Sequence, residues 1–227
     1  MRAVSLLEAV DLYRFYHVAD EEVRALRGVS LDVAPGELVA LLGASGSGKS
    51  TLLSCLAGLD DPDGGAVTVA GERLTRRPEA QRAGVRARHL GVMLQGGNLL
   101  AHLNVLDNVT LTGRLLGQPD EARALELLGQ LGLDHRRRAF PAQLSGGEIA
   151  RASLAAALAH RPAALLADEP TAEVDAATEE RVIGVIEAFV RGEGRGGRGA
   201  VIATHSPRLA ARAGRVLRLK DGRWQDA

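Results

Sequence analysis

The chain has 227 residues, and its 28 lysines and arginines balance its 28 aspartates and glutamates, so its formal net charge is zero. That length fits one α/β domain or one domain with an inserted lobe, and a hydrophobic content of 46% is sufficient for a buried core. The balanced charge argues against a nucleic-acid partner, which generally requires a basic patch or stripe. We expect no membrane span, because no apolar run approaches ~18 residues. We also expect no signal peptide, because the first dozen residues are acidic and polar and lack a long apolar core. A single cysteine, Cys55, excludes an internal disulfide and suits a reducing compartment.

Residues 4–42 are predicted to form short strands and turns. Residues 29–33 alternate between apolar and polar side chains, as a half-buried strand does. Upstream of them, Tyr13, Phe15 and Tyr16 form an aromatic cluster. Such a cluster can stack on a purine base or simply pack in the interior, and the residues alone favour neither alternative.

The sequence GASGSGKST at residues 43–51 lies between a short apolar run, residues 38–42, and a helical pattern over residues 52–57. A glycine-rich turn between a strand and a helix is the context of a phosphate-binding loop. Its glycines let the backbone approach an anion closely, and the helix N-terminus adds N–H groups and partial positive charge. We therefore expect Lys49 to reach the β- and γ-phosphates of a nucleotide and the Ser50 hydroxyl to hold Mg²⁺. The complete G-x-x-x-x-G-K-S pattern disfavours a purely structural turn.

The next predicted elements are a strand over residues 66–70, a helix within residues 75–89 and a core strand over residues 90–94 that ends at Gln95. Open α/β sheets place ligand groups at the carboxyl ends of their parallel strands. Gln95 is therefore a candidate ligand, although a glutamine at such a position more often has no function.

Residues 98–160 change from strand to helical patterns, which predicts an inserted helical lobe. Within it, we expect Leu125, Leu128 and Leu131 on one helix face. The basic run at residues 135–138 is expected in a solvated loop after a helix.

Ser145, Gly146 and Gly147 precede an alanine-rich helix predicted over residues 150–160. A helix start offers free N–H groups, and the serine adds a hydroxyl, so this segment is a candidate for binding another phosphate. Taken alone, it is more typical of a simple N-cap with a flexible turn.

Asp168 and Glu169 follow a buried strand predicted over residues 163–167. Asp168 is a candidate for holding Mg²⁺, and Glu169 for deprotonating the water that attacks a phosphate. Adjacent side chains of a strand face opposite ways, so both can serve one site only if the chain turns there, as Pro170 predicts.

The remaining pattern predicts a helix over residues 176–190, a surface loop over residues 191–199, a core strand over residues 200–204 and a closing hairpin over residues 215–224. His205 follows the core strand. A lone histidine is generally structural, but this one shares the expected sheet edge with the candidate ligands and can sense a γ-phosphate there.

The order of phosphate loop, Gln95, LSGGE at residues 144–148, LLADEPT at residues 165–171 and His205 resembles the transporter-type ATP-binding cassette ATPases over essentially the whole chain. LSGGE is the specific signal, because other phosphate-loop ATPases lack it. The resemblance implies an α/β fold with a phosphate-loop (RecA-like) parallel sheet core, an N-terminal antiparallel β subdomain and an inserted α-helical subdomain. It implies one domain, in which residues 1–95 and 161–227 form the core with the β subdomain and about 96–160 form the helical subdomain.

The resemblance also implies ATP and Mg²⁺ as cofactors and assigns roles to the motif residues. Glu169 would be the catalytic base, His205 the switch histidine and Gln95 a contact to Mg²⁺ and to the attacking water. The metal would be held by Ser50, Gln95 and Asp168. The nucleotide would be bound by Tyr16 through its adenine and by Gly43, Ser45, Gly46, Gly48, Lys49, Ser50, Thr51, Ser145, Gly146, Gly147 and Asp175.

In this family the LSGGE segment, residues 144–148, is called the signature. The signature of one subunit completes the site of the other, and one chain carries one copy of each motif. The resemblance therefore implies a second copy or a related ATPase subunit, two ATP molecules between the subunits, and a separate integral-membrane permease. It implies a cytoplasmic location on the inner face of the cell membrane, and no nucleic acid. An ATP-switched mechanical or regulatory cassette, which signals through a membrane partner without moving a solute, shares every motif and stays open as the alternative.

Within the family, Asn98-Leu99-Leu100 and the residues after it resemble the group that serves lipoprotein-release, macrolide-efflux and antimicrobial-peptide-resistance permeases. Several positions depart from the usual pattern. Ile149-Ala150 stands where the family usually has two glutamines, and Gly96-Gly97 replaces bulkier residues. Residues 172–175 read Ala-Glu-Val-Asp without the usual small-polar-Leu pattern. These departures bear on partner choice and dimer formation more than on ATP chemistry.

Overall fold

The computed structural model describes residues 5–18, 21–192 and 197–225, which form two β-sheets with surrounding helices. The strands are β1 (Leu7–Val18), β2 (Glu21–Val33), β3 (Leu38–Leu42), β4 (Gly64–Val69), β5 (Glu72–Arg73), β6 (Leu90–Met93), β7 (Ala164–Asp168), β8 (Gly199–Ala203), β9 (Arg215–Lys220) and β10 (Arg223–Trp224). The helices are α1 (Lys49–Leu56), α2 (Glu79–His89), α3 (Val105–Leu115), α4 (Glu121–Gln130), α5 (Gly146–Ala159), α6 (Ala176–Arg191) and α7 (Pro207–Arg212). Within the described ranges, no helix combines the length and apolar character that crossing a bilayer requires.

Six strands form the central sheet in the order β10-β9-β3-β8-β7-β6. Its neighbours are parallel except for β9 and β10, which form the predicted closing hairpin. Parallel strands that are covered on both faces carry apolar side chains in both directions. In β7, Leu165 and Ala167 pack into one hydrophobic core, whereas Ala164 and Leu166 pack into the other. The strands β3, β7 and β8 end at the same edge of this sheet, and that edge carries the candidate site.

The second sheet is antiparallel, in the order β2-β1-β4-β5, and it corrects the expectation of short strands over residues 4–42. Strand β1 has 12 residues and β2 has 13, so together they form one long hairpin. Bulges interrupt the register of β1 between Ala9 and Leu12 and between Arg14 and Phe15. A bulge moves the inward-facing set of side chains by one residue, so a continuous strand loses its simple alternation and resembles several short ones.

Helices α3, α4 and α5 share a hydrophobic core with the central sheet. The buried face of α4 differs from the prediction at one position, because Leu125 is only partly buried while Ala124 and Leu127 are fully buried. Leu128 and Leu131 are buried as predicted. The resulting stripe follows the i, i+3, i+4, i+7 spacing of an amphipathic helix.

The predicted loop over residues 191–199 is shorter than expected. Helix α6 continues through Arg191, because Phe189 and Val190 remain buried in its last turn, and β8 begins at Gly199. Residues 193–196 of the predicted loop lie outside the described residues.

Candidate active site

A cavity of about 670 Å³ opens at the carboxyl edge of the central sheet, which is a size typical of sites for small molecules. Most of the residues singled out from the sequence line this nucleotide-sized cavity. These are Tyr16, Ser45, Gly46, Gly48, Lys49, Ser50, Thr51, Gln95, Asp168, Glu169 and His205. Gly43 lines an adjoining cavity that shares Ser45, Gly46 and His205 with the first.

The 43–51 loop needs glycine at two positions because it is packed tightly from below. A Cβ atom on Gly43 would lie 2.3 Å from the carbonyl oxygen of Leu219. A Cβ atom on Gly48, whose φ is 105°, would lie 2.4 Å from the carbonyl oxygen of Ala25. The loop therefore rests on β9 and β2, and its upper face is left open to the cavity.

Lys49 and Ser50 begin α1 and already hold polar partners at the cavity wall. The buried Lys49 ammonium donates to the carbonyl oxygens of Gly43 at 2.7 Å and Ala44 at 3.1 Å. Ser50 Oγ donates to Asp168 Oδ2 at 2.6 Å. Asp168 is only 4% exposed, so the Ser50 hydroxyl meets a buried carboxylate at this wall of the cavity.

This donor set fits Mg²⁺ that arrives with a polyphosphate. Mg²⁺ prefers oxygen ligands and is commonly held by one or two carboxylates together with substrate phosphates. No cluster of three or more histidine, cysteine, aspartate or glutamate side chains within the described residues can hold a metal by itself. The phosphate oxygens of a bound nucleotide would therefore complete the coordination that Ser50 and Asp168 begin.

Glu169 follows β7 with φ at 52°, a left-handed conformation that turns the chain immediately after Asp168. Its backbone N–H donates to the carbonyl oxygen of Ala203 at 2.9 Å. The backbone N–H of His205 donates to Glu169 Oε2 at 3.2 Å, and His205 Nε2 lies 3.6 Å from Oε1. Burial raises the pKa of the Glu169 carboxyl, an effect that His205 partly offsets. A carboxylate with a raised pKa is a stronger base toward water.

Gln95 is exposed and lines both the nucleotide-sized cavity and a second cavity of about 500 Å³. The second cavity lies between the loop after β6 and the start of α5. Its lining includes Gly96, Gly97, Ile149 and Ala150, which are four of the positions named above as departures. These departures are thus neighbours in space.

Tyr16 lines the nucleotide-sized cavity from β1 and is fixed by groups that the sequence did not reveal. Its hydroxyl donates to Asp60 Oδ2 at 2.6 Å, and the guanidinium of Arg14 lies 4.7 Å from the centre of its ring. Burial, followed by the Asp60 carboxylate, raises the pKa of the Tyr16 hydroxyl. Tyr13 and Phe15 contact each other, with ring centres 6.2 Å apart.

The signature segment does not line the nucleotide-sized cavity of its own chain. Ser145 caps α5, since its Oγ accepts from the backbone N–H of Glu148 at 3.3 Å and its own N–H donates to Glu148 Oε2 at 2.9 Å. Gly146 lines the second cavity. The residues taken alone favour a cap over a phosphate site, and the geometry of this segment in the single chain is a capping box.

The basic run at residues 135–138 follows α4 and is mostly exposed, as predicted, but one of its members, Arg136, is partly buried. Arg136 lies in a 3₁₀ turn, and its Nε donates to Glu148 Oε1 at 2.8 Å. The Ser145 backbone N–H and the Arg136 side chain lower the pKa of Glu148 to about 2. The basic run thus supports the signature segment.

Asp175 caps α6 by accepting from the backbone N–H groups of Ala177 at 2.9 Å and Thr178 at 3.0 Å. It lines neither cavity. In contrast, the β9–β10 turn with Asp221 and Gly222 lines the nucleotide-sized cavity. The sequence predicts the hairpin but does not mark its turn as part of the site, because only the pairing of β9 with β3 carries the turn to the loop.

The family described as ABC transporter matches residues 26–172 of the chain. The chain is 44% identical over 215 residues to the lipoprotein-releasing system ATP-binding protein LolD of Novosphingobium aromaticivorans, covering 93% of this chain and 95% of that protein. It is 42% identical over 219 residues to the macrolide export ATP-binding/permease protein MacB of Chlorobium luteolum. That match covers 96% of this chain but 32% of MacB, so the chain spans about a third of that relative. A solved dimeric ATP-binding cassette in a post-hydrolysis state with ADP and Pi gives a TM-score of 0.89 at 31% identity, over 97% of this chain and 98% of that one.

Proposed function

The chain belongs to the ABC transporter family as an ATP-binding and ATP-hydrolysing subunit, and we propose that two copies of it close on two ATP molecules to power a separate membrane permease. The release and export systems for which its relatives are named favour export of a lipid- or peptide-related substrate. In this proposal the chain works in the cytoplasm, on the inner face of the cell membrane. The observation that carries the ATP chemistry is the 2.6 Å hydrogen bond from Ser50 to Asp168, which joins the phosphate loop to the strand end beside Glu169.

ATP would lie along the nucleotide-sized cavity with its phosphates over the 43–51 loop. The loop N–H groups and the N-terminus of α1 face this position, and both favour negative charge. Lys49 would release the carbonyl oxygens of Gly43 and Ala44 to bind the β- and γ-phosphates. Tyr16, at the other end of the cavity, would stack on the adenine.

Ser50, Asp168 and Gln95 would direct their oxygens toward Mg²⁺ beside the phosphates. When bound, the ion would neutralise charge that develops on the β- and γ-phosphates. Asp168 supports this assignment because its carboxylate is nearly inaccessible and has Ser50 as its hydrogen-bond partner.

Glu169 would orient a water molecule and take its proton as the water oxygen attacks the γ-phosphorus. The bond between that phosphorus and the bridging oxygen then breaks, which releases ADP and inorganic phosphate. His205 would hold the Glu169 carboxylate through its backbone N–H, while its exposed imidazole contacts the γ-phosphate.

A second copy would supply the groups that one chain keeps away from its own cavity. Ser145, Gly146 and Gly147 begin α5 with an exposed serine and glycine, so this surface can meet the ATP held by a partner. Asp175, at the start of α6, would lie in the same interface. Gln95 would report the state of the site to the permease, because its loop reaches both cavities.

The replacement Glu169→Gln tests this proposal. It keeps the shape of the side chain and removes the base, so we expect ATP binding to persist while turnover falls by about a hundredfold to ten-thousandfold. ATP should then hold the variant as a dimer, measured by light scattering after gel filtration.

Glu180→Gln is the matched control, because Glu180 is an exposed glutamate of α6 that pairs only with Arg212 among the contacts described. It should keep the parental turnover. If Glu169→Gln hydrolyses ATP at the parental rate, Glu169 is not the base. Solute flux in vesicles that contain the permease would separate transport from signalling without transport.

A further inference from the structure

Arg14, Tyr16 and Asp60 form a closed set of contacts at one end of the nucleotide-sized cavity. The guanidinium carbon of Arg14 lies 4.7 Å from the centre of the Tyr16 ring, within the range of a cation–π contact. Tyr16 donates its hydroxyl proton to Asp60 Oδ2 at 2.6 Å. Arg14 Nε donates to the same oxygen at 2.8 Å, and its Nη2 lies 2.8 Å from Asp60 Oδ1. Each of the three side chains thus touches the other two.

This set is further tied to the chain on both sides. Arg14 Nη1 lies 3.2 Å from Asp63 Oδ2, which also accepts the backbone N–H of Phe15 at 2.7 Å. The backbone N–H of Asp60 donates to the carbonyl oxygen of Ser54, in the last turn of α1. Helix α1 therefore positions both ends of the cavity, because its first turn carries Ser50.

We propose that Arg14 is a positioning residue for recognition of the nucleotide base, acting through Tyr16. Its guanidinium covers one face of the phenol ring, while Asp60 fixes the hydroxyl. The other face is then held ready for a base, which gives a stack of guanidinium, phenol and base. The proposal rests on the ATP-binding function argued above.

The chemistry of this stack predicts what it recognises. Stacking depends on the aromatic face of a base and not on its hydrogen-bonding edge, so this contact should not distinguish ATP from GTP. A cation over one face of the phenol holds the ring in one orientation and so lowers the entropy cost of stacking a base on the other face. Phosphate binding is carried by other residues and does not depend on Arg14.

Arg14→Gln tests this role when dissociation constants are measured for ATP, GTP and tripolyphosphate, each with Mg²⁺. We expect ATP and GTP to bind about threefold to tenfold more weakly, and tripolyphosphate to bind as before. Arg14→Lys keeps the charge but loses the planar stack, so its affinity for ATP and GTP should fall between those of the parent and of Arg14→Gln. Arg14→Lys also provides the test if Arg14→Gln does not fold. Arg88→Gln is the matched control, because Arg88 pairs with Glu72 outside the cavity, and it should change none of the three constants.

The same measurements in the Tyr16→Ala background show whether Arg14 acts through the ring. There, Arg14→Gln should cause no further loss of ATP affinity. Equal weakening of ATP and tripolyphosphate by Arg14→Gln, or an unchanged affinity for ATP, would overturn the proposal while leaving the ATPase function intact. If Tyr16→Ala itself leaves ATP binding unchanged, both the stack and the role of Arg14 fail. A chain that binds neither ATP nor tripolyphosphate contradicts the proposed function instead.

Discussion

The loop after Gln95 contains two adjacent glycines whose surroundings differ, and this difference gives a sharp prediction. Gly96 and Gly97 have φ angles of 82° and 79°, so alanine is strained at both. A Cβ atom on Gly96 would meet no heavy atom within 4 Å. A Cβ atom on Gly97 would lie 2.6 Å from Ile149 Cγ2 and 3.0 Å from Ser153 Oγ. Gly96→Ala is therefore a control for backbone strain in Gly97→Ala.

The expected magnitudes follow from these contacts. A left-handed φ costs a non-glycine residue about 1–2 kcal/mol, and both variants incur this cost. Gly97→Ala adds overpacking of about 1–3 kcal/mol, because Ile149 is β-branched on a helix and has almost no alternative rotamer. The two variants should thus differ in free energy of unfolding by about 1–3 kcal/mol in urea titrations. If the loop moves instead of the helix, turnover should fall while ATP affinity stays constant, because Gln95 is displaced.

Ile149→Ala provides the second arm of this experiment. It removes the methyl group that the new Cβ would contact. Adding Gly97→Ala to the Ile149→Ala variant should therefore lower the free energy of unfolding only by as much as Gly96→Ala lowers it in the parent. Equal stability and turnover of Gly96→Ala and Gly97→Ala would refute the idea that glycine is required at residue 97 by its contact with Ile149. The same holds if Ile149→Ala does not restore the stability that Gly97→Ala loses.

Two further predictions concern Lys49 and Glu148. Lys49→Ala should weaken ATP binding at least about tenfold, since charge-assisted hydrogen bonds to the phosphates are worth about 1.5–3 kcal/mol, whereas Arg88→Ala, at an exposed residue outside the cavity, should not. Equal affinities of the two variants by equilibrium dialysis would contradict this. Glu148 has a pKa of about 2 in the fold, below the ordinary 4.5, so its ionised form stabilises the fold at neutral pH and this contribution is lost as the pH falls from 4.5 toward 2. Glu148→Gln should therefore have a free energy of unfolding about 1 kcal/mol below that of the parent at pH 7, and urea titrations should show this difference shrinking below pH 4.5. A difference that does not change with pH would exclude a contribution from the ionised Glu148 carboxylate.

The phosphate loop was predictable because its causes are local. Strand, turn and helix follow one another directly, and the glycines at residues 43 and 48 are required by the close backbone packing beneath them. The ends of β7 and β8 were also predictable, since parallel buried strands must end at the same edge as β3. Thus Asp168, Glu169 and His205 could be placed beside the loop from sequence order and polarity alone.

The contacts that fix Tyr16 could not be predicted in the same way. Arg14 and Asp60 are 46 residues apart in the sequence. The residues around each of them give no indication that the two side chains contact each other. The bulges in β1 make this harder, because they break the alternation that would have shown which side of the strand Arg14 and Tyr16 share. Similarly, Asp221 and Gly222 reach the cavity only through the pairing of β9 with β3.

The N-termini of helices α1 and α5 differ in whether they line the nucleotide-sized cavity of their own chain, and this difference supports the proposal that one copy does not form a complete site. Helix α1 begins beneath the 43–51 loop, with Lys49 buried and Ser50 bonded to Asp168, so its N-terminus serves the cavity of its own chain. Helix α5 also begins with N–H groups that have no partner within the helix, but Ser145 and Gly146 are exposed and lie outside that cavity. Carboxylates of the same chain already stand there, because Glu148 closes the capping box and the Glu173 side chain lies against Gly146. In the proposed dimer, the γ-phosphate held by a second copy would meet the exposed Ser145 and Gly146 at this helix start, so ATP would join the two chains, and hydrolysis, which removes that phosphate, would separate them.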